Sequence, residues 1–274
     1  MIAGRQVADI SKSAQDVRDR LAAGKSARPV RAHMAHMWEQ VLESERSKEQ
    51  AMSVWHDRWG ELQLPYVPVH PERYGLTLTA DSAMLDVGSF SGYGLYDFCR
   101  RRLDARLPIP RITGIDIEAA ECEAGRELAA LWARDVPALR FLQADCEKLP
   151  MPSGSFDLVI ARSVLPYTDV GRSLRELRRV VRTSGLVVVQ LHSPIYYGAQ
   201  ALRARSFRRL SYYVRPILSG ALLASTGHQP PGRRFRETAV TLASLQAQCK
   251  RVGLTHLWSI RSRYRPLALF RAVE

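Results

Sequence analysis

Three carboxylates stand where short apolar runs end: Asp86 after Ala83-Met84-Leu85, Asp116 in Gly114-Ile115-Asp116-Ile117, and Asp145 in Gln143-Ala144-Asp145-Cys146. The first opens a glycine-rich turn, Leu85-Asp86-Val87-Gly88-Ser89-Phe90-Ser91-Gly92, and a helical pattern follows from Tyr93. In such strand-turn-helix units ligands bind at the carboxyl ends of the strands. Two ligands compete for the turn. A dinucleotide needs G-x-G-x-x-G, whose second glycine lets the backbone approach the pyrophosphate. Phe90 occupies that place, and Asp86 would repel phosphate. S-adenosylmethionine (SAM) has no phosphate and carries a sulfonium and an ammonium, so an acid at the strand end suits it. Asp116 can accept both ribose hydroxyls through its two oxygens, and Asp145 can take the adenine amino group. A lone Asp after a strand more often caps a turn. Three at consecutive strand ends favour the ligand.

A sulfonium ligand such as SAM can give up its methyl in an in-line displacement, and a chain using it so would have to hold a nucleophile against that methyl. The residues after the fourth and fifth apolar runs face that position: Arg162, Ser163 and Tyr167, then His192, Ser193, Tyr196 and Tyr197. His192 directly follows a run of five apolar or amide side chains and is the preferred base, with Tyr167 as the second catalytic candidate. The plain alternative is a structural histidine bonded to a backbone carbonyl. His33 and His36 have the spacing of a metal pair but no carboxylate or cysteine partner, which favours an ordinary helix face. Cys99, Cys122, Cys146 and Cys249 form no C-x-x-C pair, so the expectation is free thiols and no metal.

The elements that must carry these residues follow a regular alternation. Apolar runs at 83–87, 111–117, 139–144, 156–161 and 186–191 alternate with helical stretches at 93–107, 118–133 and 170–181. Near-continuous apolar strands between helices predict a doubly wound, mostly parallel sheet. A further helix at 241–252, capped by Thr241 and stopped by Gly253, and strands at 255–260 and 266–272 complete the pattern. Before it, Val7, Ile10, Val17, Leu21, Val30, Met34, Met37 and Val41 recur at helical spacing and predict an N-terminal helical extension over 1–64. Pro65, Pro68 and Pro71 mark a linker over 65–82.

The chain of 274 residues carries 46% hydrophobic residues and a net charge of +13, with five lysines among its 40 basic residues. That balance suits anionic partners, although so lopsided an arginine excess also follows from a GC-rich genome. No signal segment or membrane span is evident, and a cytoplasmic protein is expected. The insertion at 195–237 stands outside the alternation. Its residues 195–236 hold eight arginines and no acid, interleaved with Tyr196, Tyr197, Phe207, Tyr212 and Tyr213. Arginines and aromatics together can grip phosphates, stack on bases, lie on an anionic membrane, or form a solvated lid held by few buried contacts.

From about Met84 to Phe270 the chain resembles the class I SAM-dependent methyltransferases. The motifs that carry the likeness are LDVGSFSG, GIDI, QADCEKLPMPSGSFDLVIARSVLPY and LRELRRVVRTSGLVVVQ. The resemblance implies a seven-stranded sheet of order 3-2-1-4-5-7-6 with the last strand antiparallel. It assigns Asp86, Gly88 and Gly92 to the methionine end of SAM, Asp116 to the ribose, and Asp145 with Cys146 to the adenine. Ser89, Phe90, Ile117 and Arg162 join them as cofactor-binding candidates. Phe90 and Ser184 depart from the family pattern, each standing where glycine is common. The expectation is a SAM-binding domain over 83–274 acting on a small-molecule acceptor, anionic acceptors included, at an oxygen, as in natural-product methyltransferases. The alternative is an RNA methyltransferase using the Arg/Tyr-rich insertion. The oligomeric state is left open, a homodimer included.

Overall fold

The computed structural model describes residues 71–273 apart from Ser91, 133–138, 231–236 and 262–264. The expected N-terminal helices, with His33 and His36, lie outside the described residues. Strand β1 (Ala83–Val87), helix α1 (Tyr93–Asp104), β2 (Arg111–Asp116), α2 (Ala119–Trp132), β3 (Leu139–Gln143) and β4 (Phe156–Arg162) follow in turn. Then come α3 (Val170–Val180), β5 (Val181–Gln190), α4 (Pro194–Leu202), α5 (Phe207–Thr226), α6 (Leu242–Arg251), β6 (Leu254–Ile260) and β7 (Leu267–Ala272). The sheet order is β3-β2-β1-β4-β5-β7-β6, with β7 antiparallel to both neighbours, as the resemblance implied.

The central strands are apolar throughout because helices cover both faces. All five residues of β1 are buried, and Leu186–Val189 of β5 are fully so. Register aligns the strand ends: Asp86 lies between Gly114 of β2 and Ile160 of β4, and Arg162 pairs with Gln190, which pairs with Leu267. The carboxyl ends of β1, β2, β4 and β5 therefore open on one edge.

Side chains fix the helix ends. Thr241 caps α6 by accepting from Ser244 N, and Gly253 takes φ 79° after the helix, both as expected. Asp169 caps α3 and Ser193 caps α4, so Ser193 serves as a helix cap with Pro194 at the first helical position. Strand β5 begins five residues earlier than the apolar run suggests. Its register against β4 breaks between Phe156 and Leu158, and the extra residues turn through Ser184 at φ 67°. Ser184 thus adopts the left-handed conformation that glycine normally supplies there.

The described part of the insertion folds as α4 and α5. Ser219 Oγ and Thr238 Oγ1 lie 2.8 Å apart, and Ala239 N donates to Pro216 O at 2.9 Å. Gln229 bridges Val170 N, Thr168 O and Thr238 Oγ1. Arg102, fully buried outside the site, donates to Pro108 O at 2.8 Å, tying α1 to the approach to β2. Among the described residues no helix is long and apolar enough to cross a membrane.

Candidate functional site

The turn after β1 is built by its glycines and by Phe141. Gly88 N and Ser89 N both donate to Ile115 O at 2.9 Å, and Gly92 N donates to Ser89 O. This path needs positive φ at Gly88 (71°), Phe90 (49°) and Gly92 (81°). The Phe141 ring fills the space beneath: a Cβ at Gly92 would stand 2.2 Å from it, at Gly114 2.6 Å and at Gly125 2.7 Å. The glycines let an aromatic side chain of β3 support the turn from below.

The turn meets Asp116 directly. Phe90 N donates to one carboxylate oxygen at 3.1 Å and Glu118 N to the other at 3.0 Å. The turn-capping role that an isolated Asp would have is therefore real, and it leaves acceptor positions open. A carboxylate has about four acceptor positions, so two remain for a ribose diol. Asp86, with no exposed surface, puts a negative field under the turn, where a sulfonium or ammonium is favoured. Phe90 and Ile117 are exposed at 57% and 61%, two apolar faces beside Asp116. Gln143 Nε2 donates to Ile117 O and holds that segment.

Asp145 lies two residues beyond β3, not at its last residue, and its Oδ1 accepts from Glu147 N at 2.8 Å. Cys146 turns its thiol inward, 3.5 Å from Ser173 Oγ, and burial pushes that thiol up to about 11. Its side chain belongs to the core; what it can offer an adenine is backbone. The loop is clamped from α3. Arg179 donates to Leu149 O and Met151 O while paired with Glu176, whose carboxylate accepts from Leu149 N. The groups gathered around the turn are acids, backbone amides and exposed apolar faces. This set fits SAM and gives no cradle for a diphosphate.

The second half of the site lies at the ends of β4 and β5. Ser163 has φ 54°, donates its N–H to Gln190 O at 2.8 Å, and has a buried Oγ without a hydrogen-bond partner. Tyr167 ends a short 3-10 turn and sets its ring edge-on to His192, centroids 6.2 Å apart. His192 is 6% exposed, and neither ring nitrogen has a hydrogen-bond partner. The rings of Tyr196 (4.8 Å) and Tyr197 (6.1 Å) complete the cage. Burial, with Arg265 adding to it, pulls His192 down to about 4, so the ring is neutral at physiological pH. Tyr167 and Tyr197 are pushed well above the ordinary phenol range, first by burial and then by the Glu237 carboxylate, and Tyr212 up to about 12 by the same causes. Tyr197 Oη is buried within electrostatic reach of Glu237 but makes no well-formed hydrogen bond.

Two of these groups escaped the sequence reading. Glu237 is the single acidic residue between Glu176 and Glu274, a signal that could have singled it out. Arg265 precedes Pro266, whose carbonyl accepts from Leu191 N at 2.9 Å, and so stands beside His192. Nothing local in the sequence marks it. Arg162, assigned to the cofactor, lies near enough to Arg265 to lower that residue's pKa, after the larger effect of burial.

A family model described as a methyltransferase domain matches residues 85–189. The malonyl-[acyl-carrier protein] O-methyltransferase of Laribacter hongkongensis is 33% identical over 147 residues, 51% of this chain and 47% of that protein. The ubiquinone/menaquinone biosynthesis C-methyltransferase of Hahella chejuensis is 28% identical over 188 residues, 64% of this chain and 71% of that one. The chain thus spans less than half the length of the malonyl-[acyl-carrier protein] relatives it matches. Geranyl diphosphate C-methyltransferase from Streptomyces coelicolor shares the fold, with TM-score 0.52 and 12% identity over 75% of this chain and 76% of that one. So does the [4+2]-cyclase SpnF, with TM-score 0.51 and 17% identity over 75% and 79%. Strand order, turn and sequence model agree: residues 85–189 match a methyltransferase domain, the sheet has the class I SAM-dependent methyltransferase order, and SAM is the cofactor that the turn fits.

Proposed function

We propose that this chain methylates an oxygen of a small-molecule acceptor seated over the carboxyl ends of β4 and β5. The observation that carries the reading is His192: a buried, neutral imidazole whose two nitrogens have no hydrogen-bond partner, caged by Tyr167, Tyr196 and Tyr197. A buried polar group left unsatisfied costs about 1–3 kcal/mol, and Ser163 Oγ and Tyr197 Oη repeat the pattern nearby. A polar acceptor would relieve all three. SAM when bound supplies an electrophilic methyl on a sulfonium. His192 accepts the hydrogen bond of the acceptor hydroxyl, orients its oxygen, and takes the proton as the oxygen–carbon bond forms and the carbon–sulfur bond breaks. The buried Tyr197 ring shields the inner side of His192, and Tyr167, half exposed, and Tyr196 hold the acceptor in line. Two curated relatives differ in the atom their names give, oxygen in one and carbon in the other, and the choice of oxygen here rests on His192.

General base catalysis is worth about 10²–10⁴-fold when the pKa lies near the working pH. A pKa of about 4 puts His192 at the low end. His192→Gln should therefore lower kcat about 10²-fold while leaving SAM affinity intact, read as S-adenosylhomocysteine formed with a panel of phenols, alcohols and carboxylic acids. Turnover of that panel undiminished in His192→Gln would remove the histidine from the mechanism. A protein that binds SAM and forms no S-adenosylhomocysteine with any acceptor would be a fold without methyl transfer.

A further inference from the structure

Helix α5 turns an apolar face outward. At about 100° per residue, Phe207, Leu210, Leu218 and Leu222 share one stripe roughly 120° wide. They are exposed at 84%, 40%, 60% and 40%. The opposite side, through Pro216, Ser219, Gly220 and Leu223, is buried. The helix cannot roll to hide the stripe, because a Cβ at Gly220 would stand 2.1 Å from Ala239 O. A solvated helix face carries polar residues at these positions. This one does not.

The charges around the stripe add a second argument. Arg203 and Arg205 lie in the connection before α5 and Arg208 and Arg209 in its first turn, all four exposed. Cations at a helix N-terminus oppose the helix dipole and weaken the helix. These arginines do not serve the helix that carries them, and no acid lies between Glu176 and Glu237 to pair with them in sequence. RNA would match the arginines but not the leucine stripe. A lipid surface matches both: phosphate headgroups for the guanidiniums, and the acyl boundary for Phe207 and the leucines.

We propose that α5 and the connection before it form a docking surface for an anionic membrane, with the helix lying in the plane of the interface. The test is flotation of the full chain with phosphatidylcholine vesicles, with and without phosphatidylglycerol. Binding is expected with the anionic lipid, weakening steeply with salt. Arg205→Ala with Arg208→Ala should weaken it by roughly 25-fold, about fivefold per arginine. Leu218→Ser should weaken it at least fivefold with the melting temperature and SAM affinity unchanged. Three outcomes would overturn the proposal. The first is no binding to anionic vesicles. The second is vesicle binding indifferent to Leu218→Ser and to a parallel Phe207→Ser, which would be the attraction of the chain's +13 charge alone. The third is tight, salt-sensitive binding of structured RNA that outcompetes the vesicles. The readout needs no turnover, so it stands or falls apart from the acceptor chemistry.

Discussion

The two halves of the site are held by different means. Around the glycine-rich turn, two of the three acids are fixed by backbone N–H groups from the next few residues or from the turn itself: Phe90 and Glu118 on Asp116, Glu147 on Asp145. Around His192, among the described residues, ring contacts rather than backbone bonds dominate. His192, Tyr167, Tyr197, Glu237 and Arg265 come from separate segments and meet through ring packing, burial and charge. The first half is specified by short-range sequence. The second depends on side chains brought together from the insertion and the segment before β7.

Removing a carboxylate from the first half gives the largest expected effect. Asp116→Ala loses the ribose acceptor and leaves Phe90 N and Glu118 N without partners, so SAM should bind about 2–4 kcal/mol more weakly by titration calorimetry. His192→Gln in the same experiment should leave SAM affinity unchanged. Equal losses in both variants would dissolve the division between the halves.

The acceptor half should instead reveal itself in acid. An unfolded histidine takes up a proton below about pH 6.5, whereas folded His192 does so below about 4. Between these values the unfolded chain binds the extra proton, so stability falls as pH falls and is fully present above pH 6.5. The full effect is about 3 kcal/mol, a ceiling set by the shift. Urea midpoints of wild type and His192→Gln should therefore converge in acid relative to their separation near neutrality. Parallel curves from neutral pH down to about 4 would mean that His192 is hydrated or paired in solution.

The same division decides what could be read from sequence. Asp86, Asp116 and Asp145 were legible because an acid at the end of an apolar run, before a turn, is a local pattern, and the strand–helix alternation fixes which ends meet. His192 and Tyr167 were legible as positions after strands. Their cage was not, since ring packing depends on the path of α4. Cys146 was matched by position, but its thiol faces the core because apolar packing, not the loop sequence, sets its direction. Glu237 lay one residue past the acid-free stretch and was passed over. Arg265 reaches His192 through the antiparallel pairing of β5 with β7, a contact of long sequence separation that no local signal reports.

The smallest effect separates the two departures from glycine. Phe90 at φ 49° and Ser184 at φ 67° both hold a left-handed conformation, which costs a residue with a Cβ about 1–2 kcal/mol. Glycine removes that cost but gives back about 0.5–1 kcal/mol through the entropy of the unfolded chain. Ser184→Gly and Phe90→Gly should therefore each stabilise the protein by about 1 kcal/mol or less, seen as a small rise in melting temperature. They part at the cofactor. Ser184 lies in the irregular first residues of β5, at the end of the strand away from the site, and its replacement should leave SAM affinity untouched. Phe90 stands exposed beside Asp116, and losing its ring removes an apolar face worth about 1 kcal/mol of binding, near fivefold in Kd. A Phe90→Gly protein that is more stable and binds SAM more weakly would show that the aromatic is kept at the cost of strain because it serves the cofactor. Unchanged affinity would leave Phe90 as a strained residue in the turn and take it out of the site.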